Sequence, residues 1–366
     1  MGPRFRGDDV FRLTRVTSER LTPYMASSLE STLTRAWLRR GPLALALWPL
    51  SLLFRLLAAV RAVLFRAGLL ASEGLPVPVI VVGNIFIGGT GKTPLTIWLA
   101  EQLQAAGFRP GVISRGHGSA ESEAREVTPA SSPREVGDEP LLIAARTGCP
   151  VVVGRRRAAA GRRLLALHPE VDVLIADDGL QHYALRRDVE VVLFDGRGVG
   201  NGWTLPAGPL REPPSRRRDF TVVNTPELTP ALAAAVGGRA FQMRLDGAVA
   251  EALQAPGRRQ PLAAFRGQRI LAAAGIGNPG RFFGMLRAHG LQVEEMALPD
   301  HHDFLDDPFR GVSADVILVT EKDAVKCRQL ENINNDPRLW VVPVTAQIDT
   351  ALAAHIVEKC RGRPTT

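Results

Sequence analysis

Residues 77–94 read VPVIVVGNIFIGGTGKTP: an apolar run enters a glycine-rich loop directly, and a helical pattern, TPLTIWLAEQLQAAG, follows and closes at Gly107. A continuous apolar run of this kind suits a parallel strand buried on both faces. Strand, glycine loop and helix in register make a phosphate cradle, because glycines let backbone N–H groups approach phosphate oxygens and the helix N-terminus adds partial positive charge. Gly88, Gly89, Thr90, Gly91, Lys92 and Thr93 are therefore expected to hold a nucleoside triphosphate, with Lys92 at the β- and γ-phosphates and Thr93 at Mg2+. The entry to the loop is atypical. In the pattern G-x-x-x-x-G-K-[ST] the first glycine falls at position 86, which is Phe86.

Further along, RPGVISRG, CPVVVG, VDVLIADDGLQH, VEVVLFDG and FTVVNT read as strands, with helical patterns between several of them. Alternation of this kind implies an open, mostly parallel sheet with ligand sites at the strands' carboxyl ends. The expected fold is α/β: a P-loop kinase-like, mostly parallel sheet, a second, smaller α/β domain and an N-terminal membrane-associated helix. The expected boundaries are an extension over 1–40, the helix over 41–74, the P-loop core over 75–225, a connecting segment over 226–262 and the smaller domain over 263–366.

Asp177 and Asp178 end an apolar strand about 85 residues after the loop, where P-loop enzymes keep the carboxylate that completes a metal site. An Asp-Gly turn is common and carries little alone; its place after the loop, and Gln181 and His182 behind it, strengthen the metal reading. Asp138 lies in VGDEP, and His301 and His302 in LPDHHDF. A carboxylate and an imidazole suit removal of a proton from an attacking hydroxyl, although spacing alone favours a solvated acidic loop and a structural histidine. Gly275, Gly277 and Gly280, with Asp300 beyond, match a dinucleotide fingerprint. Pro279 removes an N–H there, and a tight turn facing the cleft is the better reading.

Lys and Arg number 45 against 37 Asp and Glu, a formal charge of +8, which suits an anionic partner or an arginine-rich genome equally well. Few aromatics accompany the arginine clusters at 155–157, 186–187 and 216–218, which disfavours nucleic acid. Three widely spaced cysteines, Cys149, Cys327 and Cys360, indicate neither a disulfide framework nor metal-ligand spacing. Residues 1–40 lack a secretory signal pattern, and Met25 offers an alternative start. The stretch GPLALALWPLSLLFRLLAAVRAVLFRAGLL (41–70) has an uncharged part of 14 residues, short of a bilayer span, and continues with Arg55, Arg61 and Arg66. It reads as a helix lying in or dipping into a membrane surface, with a buried core helix as the alternative.

Taken together, VGNIFIGGTGKTP, SRGHG, VGDEP, ADDGLQH, LPAGPLREP, LPDHHDF and TEKDAVK, in this order from about residue 30 to the end, resemble the tetraacyldisaccharide 4'-kinase family, the lipid A 4'-kinases. The resemblance implies transfer of the γ-phosphate of ATP, with Mg2+, to the 4'-hydroxyl of an acylated glucosamine disaccharide 1-phosphate. The product would be lipid IVA, made by a monomer at the cytoplasmic face of the inner membrane. It also implies roles: Lys92 and Thr93 serve the triphosphate and metal, Asp177 and Asp178 complete the metal site, and Asp138 acts as base assisted by His301. Arg115, Gln181, His182, Arg211 and Glu212 fall in motifs assigned to substrate or nucleotide contact. The atypical loop entry is shared with the family. His117 stands where the family commonly has tyrosine. A partitioning-type ATPase, the main rival, carries KGGxGKT with a lysine at the position of Ile87 and has no use for the PDHHD loop.

Overall fold

The structure, a computed structural model, describes residues 36–116 and 123–362. Met25 and His117 lie outside the described residues. The chain forms β1 (Val79–Asn84), β2 (Pro110–Ser114), β3 (Arg125–Glu126), β4 (Val151–Val153), β5 (Val173–Asp177), β6 (Val189–Asp195), β7 (Phe220–Asn224) and β8 (Phe241–Asp246). They line up as β8-β7-β6-β1-β5-β2-β4-β3, parallel except at the β3 edge. The apolar runs are central strands because helices cover both faces. Helices Lys92–Ala105 and Ala351–Arg361 pack on one face, and helix Arg157–Leu167 packs on the other. Strands β2 to β5 lie on one side of β1 and β6 to β8 on the other, so the crevice at the carboxyl end of β1 is the topological switch point.

The smaller sheet comprises β9 (Val249–Ala252), β10 (Arg259–Pro261), β11 (Ile270–Ala274), β12 (Val293–Ala297), β13 (Val316–Thr320) and β14 (Leu339–Val342), in the order β10-β9-β14-β13-β11-β12. From it β15 (Thr345–Ile348) returns to the first sheet and pairs antiparallel with β8. Two sequence boundaries therefore shift. Residues 226–262, expected as a connection, supply β8 to one sheet and β9 and β10 to the other, while 345–361, expected in the smaller unit, rejoin the larger. The cause is legible in FQMRLD, where only Met243 is buried and no apolar run marks the strand. The three cysteines are buried and unbridged.

Helix Pro42–Arg66 opens on a proline and continues through Pro49. Among the described residues it alone is long and apolar enough, by length and composition, to cross a membrane. One line of it packs on the body. Ser51 Oγ lies 3.0 Å from Thr204 Oγ1, Trp48 meets the Trp203 ring at 6.1 Å, and Phe65 meets Tyr183 at 5.8 Å. The rest of its surface exposes Leu45, Leu53, Leu56, Leu57, Val60 and Val63. An apolar surface of this extent is the mark of membrane association, and the buried-core alternative is set aside.

Candidate active site

The loop after β1 is shaped by a side chain the sequence did not single out. Asn84 Nδ2 donates to the carbonyls of Phe86 (2.7 Å) and Gly88 (3.0 Å), and its Oδ1 accepts from Lys92 Nζ (3.3 Å). Phe86 is buried, and the Arg197 guanidinium lies over its ring. An apolar anchor and an asparagine clasp thus occupy the place of the missing glycine. Gly91 does need to be glycine: its φ is +101°, and a Cβ there would meet Asn224 Nδ2 at 2.7 Å. Asn224, at the end of β7, donates to the Thr90 carbonyl and holds the loop from the far side.

At the end of β5, Asp177 is withdrawn and accepts from Thr96 Oγ1 (3.1 Å) and Ser114 Oγ (3.3 Å). Burial, with Glu139 and Asp178 nearby, pushes its carboxyl up from the ordinary carboxylate range. Asp178 turns into the cleft with φ +48°, where Lys92 Nζ lies 3.7 Å and Arg211 Nη1 3.6 Å from its Oδ1.

The second domain completes the cleft. Gly277, in the fingerprint-like turn after β11, lies so close to the phosphate loop that a Cβ there would meet the Gly89 nitrogen at 2.8 Å. The expectation of a turn facing the cleft therefore holds. Arg281 of the following helix pairs with Asp195 Oδ2 at 2.8 Å. From the PDHHD loop, His301 Nδ1 reaches Asp138 Oδ2 at 3.1 Å, although 163 residues separate the two. Burial would raise the Asp138 carboxyl, but the His301 hydrogen bond and the Lys322 and Lys326 charges outweigh it and hold the group well below the usual range. The same hydrogen bond raises His301 above its ordinary value. Lys322 Nζ is 3.3 Å from His301 Nε2; as a donor there it favours the neutral tautomer with its proton on Nδ1.

Lys92, Thr93, Arg115, Asp138, Asp177, Asp178, Arg211 and His301 all line one cavity of about 850 Å³. Gln181, His182 and Glu212 do not. Gln181 Nε2, Tyr183 Oη and Arg216 Nε all engage the Glu212 carboxylate, so Gln181 and Glu212 brace the loop behind Arg211. Burial and the nearby arginines lower His182 to about 4. Asp246, His289 and Gln347 also line the cavity. They come from β8, the helix after β11 and β15, too scattered along the chain to form a motif.

A phosphate loop at the switch point of a parallel sheet, closed over by a second α/β unit, places the chain among P-loop phosphotransferases. A family model described as tetraacyldisaccharide-1-P 4'-kinase (LpxK) matches residues 43–361, and the chain belongs to this family. It is 62% identical over 343 residues to the tetraacyldisaccharide 4'-kinase of Janthinobacterium sp. (strain Marseille), covering 92% of this chain and 98% of that one. The Herminiimonas arsenicoxydans counterpart is 60% identical over 350 residues, covering 92% and 97%. The crystal structure of Aquifex aeolicus LpxK with ATP superposes with a TM-score of 0.71 at 28% identity, covering 87% of this chain and 99% of that one. The expected activity follows: this is an ATP-dependent kinase that phosphorylates tetraacyldisaccharide 1-phosphate to lipid IVA.

Proposed function

We propose that the γ-phosphate of ATP lies between Lys92 and the Asp138–His301 pair, with the lipid's 4'-hydroxyl approaching past Arg115 and Arg211. The contact of His301 with Asp138 across the two domains carries this reading, because it sets an acid–imidazole pair in the same cavity wall as the phosphate loop. The pair accepts the hydroxyl proton while Lys92 and the loop's N–H groups neutralise the phosphate. Closure of the second domain brings the pair into place and excludes water.

Thr93, Asp177 and Asp178 would hold Mg2+, which when bound neutralises phosphate charge. The donor set fits: burial first, and then the negative charges of Glu139 and Asp178, raise Asp177, and a cation beside it would relieve the charge repulsion. Among the described residues no three or more His, Cys, Asp or Glu side chains are grouped so as to hold a metal ion by themselves. Asp178→Asn is expected to raise the Mg2+ needed for half-maximal rate by about tenfold, and EDTA to stop turnover. Full turnover in EDTA would contradict the assignment.

The helix at 42–66 lies along the cytoplasmic face of the inner membrane rather than across it. Its contacts at Ser51 and Phe65 are about 21 Å apart at 1.5 Å per residue, so its length is tied to the body. A Leu53→Lys/Leu57→Lys variant is expected to lose most flotation with phospholipid vesicles while retaining ATP binding; undiminished flotation counts against this orientation. The enzyme is expected to act as a monomer, and a dimer mass by light scattering would refute that.

A further inference from the structure

The stretch TEKDAVK forms helix Glu321–Cys327 after Thr320, and three of its charges cross to the helix Asp138–Thr147. Glu321 takes both of its oxygens to Arg146 Nη1 (2.6 and 2.8 Å), Lys322 Nζ lies 3.1 Å from Glu139 Oε1, and Lys326 Nζ lies 3.3 Å from Asp138 Oδ2. Lys326 and His301 therefore converge on the same carboxylate oxygen. Both partners of the lysine contact are withdrawn from solvent, with side chains 10% and 4% exposed. The lysine head also lies 3.7 Å from Asp323 Oδ1 and 5.5 Å over the Phe304 ring.

Asp323 links this lysine to His301. Wholly buried, its Oδ2 accepts from Thr320 Oγ1 (2.7 Å) and from the Gly275 N–H (3.0 Å), and the Gly275 carbonyl in turn accepts the His301 N–H (3.1 Å). His301 sits at φ +61°, a left-handed conformation that a non-glycine residue keeps only when its surroundings fix it. One buried carboxylate thus sets both groups that the second domain presents to Asp138.

We propose that Lys326 is a positioning residue for phosphoryl transfer: on domain closure it pins the Asp138 carboxylate so that the Asp138–His301 pair takes the orientation and protonation state that accept the 4'-hydroxyl proton. The inference rests on reading Asp138 and His301 as the proton acceptor. A cation at this distance disfavours the protonated form of the pair. Asp138 faces His301, Lys322 and Lys326; Lys322 also faces Glu139; His301 also faces Asp300; Lys326 also faces Asp323. Without Lys326, Lys322 alone of these cations opposes four carboxylates, and the pair takes up its proton at higher pH.

The test is the pH dependence of kcat and of KM for both substrates in the wild type, Lys326→Met and Lys326→Arg, with His301→Ala and Asp138→Asn alongside. Lys326→Met is expected to lower kcat about 10- to 100-fold with KM for ATP within about threefold, and to move the acidic limb up by about half a unit or more. Lys326→Arg is expected to recover most of the rate and return the limb. A lysine that served only stability would lower Tm or raise KM with the limb in place, and that result overturns the proposal. If Lys326→Met fails to fold, Lys326→Gln supplies the same comparison. A wild-type limb that persists in His301→Ala or Asp138→Asn overturns the pair reading beneath it; a limb lost in those but unmoved in Lys326→Met overturns the role of Lys326 alone.

Discussion

Lys92→Ala is expected to lower turnover by about 10³-fold or more. Phosphoryl transfer asks the protein for alignment and charge neutralisation, and Lys92 stands where both are supplied. It is the first residue of a helix that opens at the carboxyl end of β1, and its Nζ is held by Asn84 Oδ1 and faces Asp178. Its stem is not part of the core, so the loss falls on transfer rather than on folding. His301→Ala, which removes only assistance to proton transfer, is expected to cost about 10²-fold. Initial rates of the two variants under saturating ATP and lipid decide the order. A His301→Ala enzyme as inactive as Lys92→Ala would show that charge neutralisation is not the dominant demand.

The second large effect is that of Asp138→Asn, expected at about 10²- to 10⁴-fold in rate with ATP affinity retained. The substitution keeps shape and removes charge. Its effect is readable on His301 itself, because the Asp138 hydrogen bond is the leading cause of that imidazole's raised value. The carboxylate stabilises imidazolium, so in the wild type His301 holds its second proton to a pH above the ordinary value near 6.5, and turnover falls as pH drops through that region. With asparagine in place the imidazolium loses this partner and His301 titrates at lower pH. The imidazole C2–H signal measures this directly by NMR, and an unmoved titration would show that the contact across the cleft is not made.

The glycine loop, the strand-end aspartates and the parallel order of the larger sheet were legible because each leaves a local trace: an apolar run, a glycine at a fixed offset, a carboxylate where a strand stops. Asp138 and His301 leave none. By spacing one belongs to an acidic loop and the other to a polar turn, and only the resemblance joined them before the structure did. Asn84 was not legible because the loop pattern specifies glycines, lysine and threonine and is silent on the side chain that clasps the loop in place of the glycine absent at Phe86. Strand β8 and the return of β15 were hidden because each buries only one side chain fully, so neither carries an apolar run. Gln181 and Glu212, grouped with substrate contacts by motif, turn out to hold each other and Arg216. A motif records that residues are needed together without telling which of them touches the ligand.

The most direct measurement is transfer of label from [γ-32P]ATP, with Mg2+ and detergent, to tetraacyldisaccharide 1-phosphate, with wild type beside Asp138→Asn. Labelled lipid bisphosphate from the wild type, slowed at least about 10²-fold in the variant while ATP still binds, is the expected result. Labelled lipid formed equally fast by the variant would contradict the assembly of the proton acceptor across the two domains, and free phosphate without labelled lipid would contradict the transfer itself.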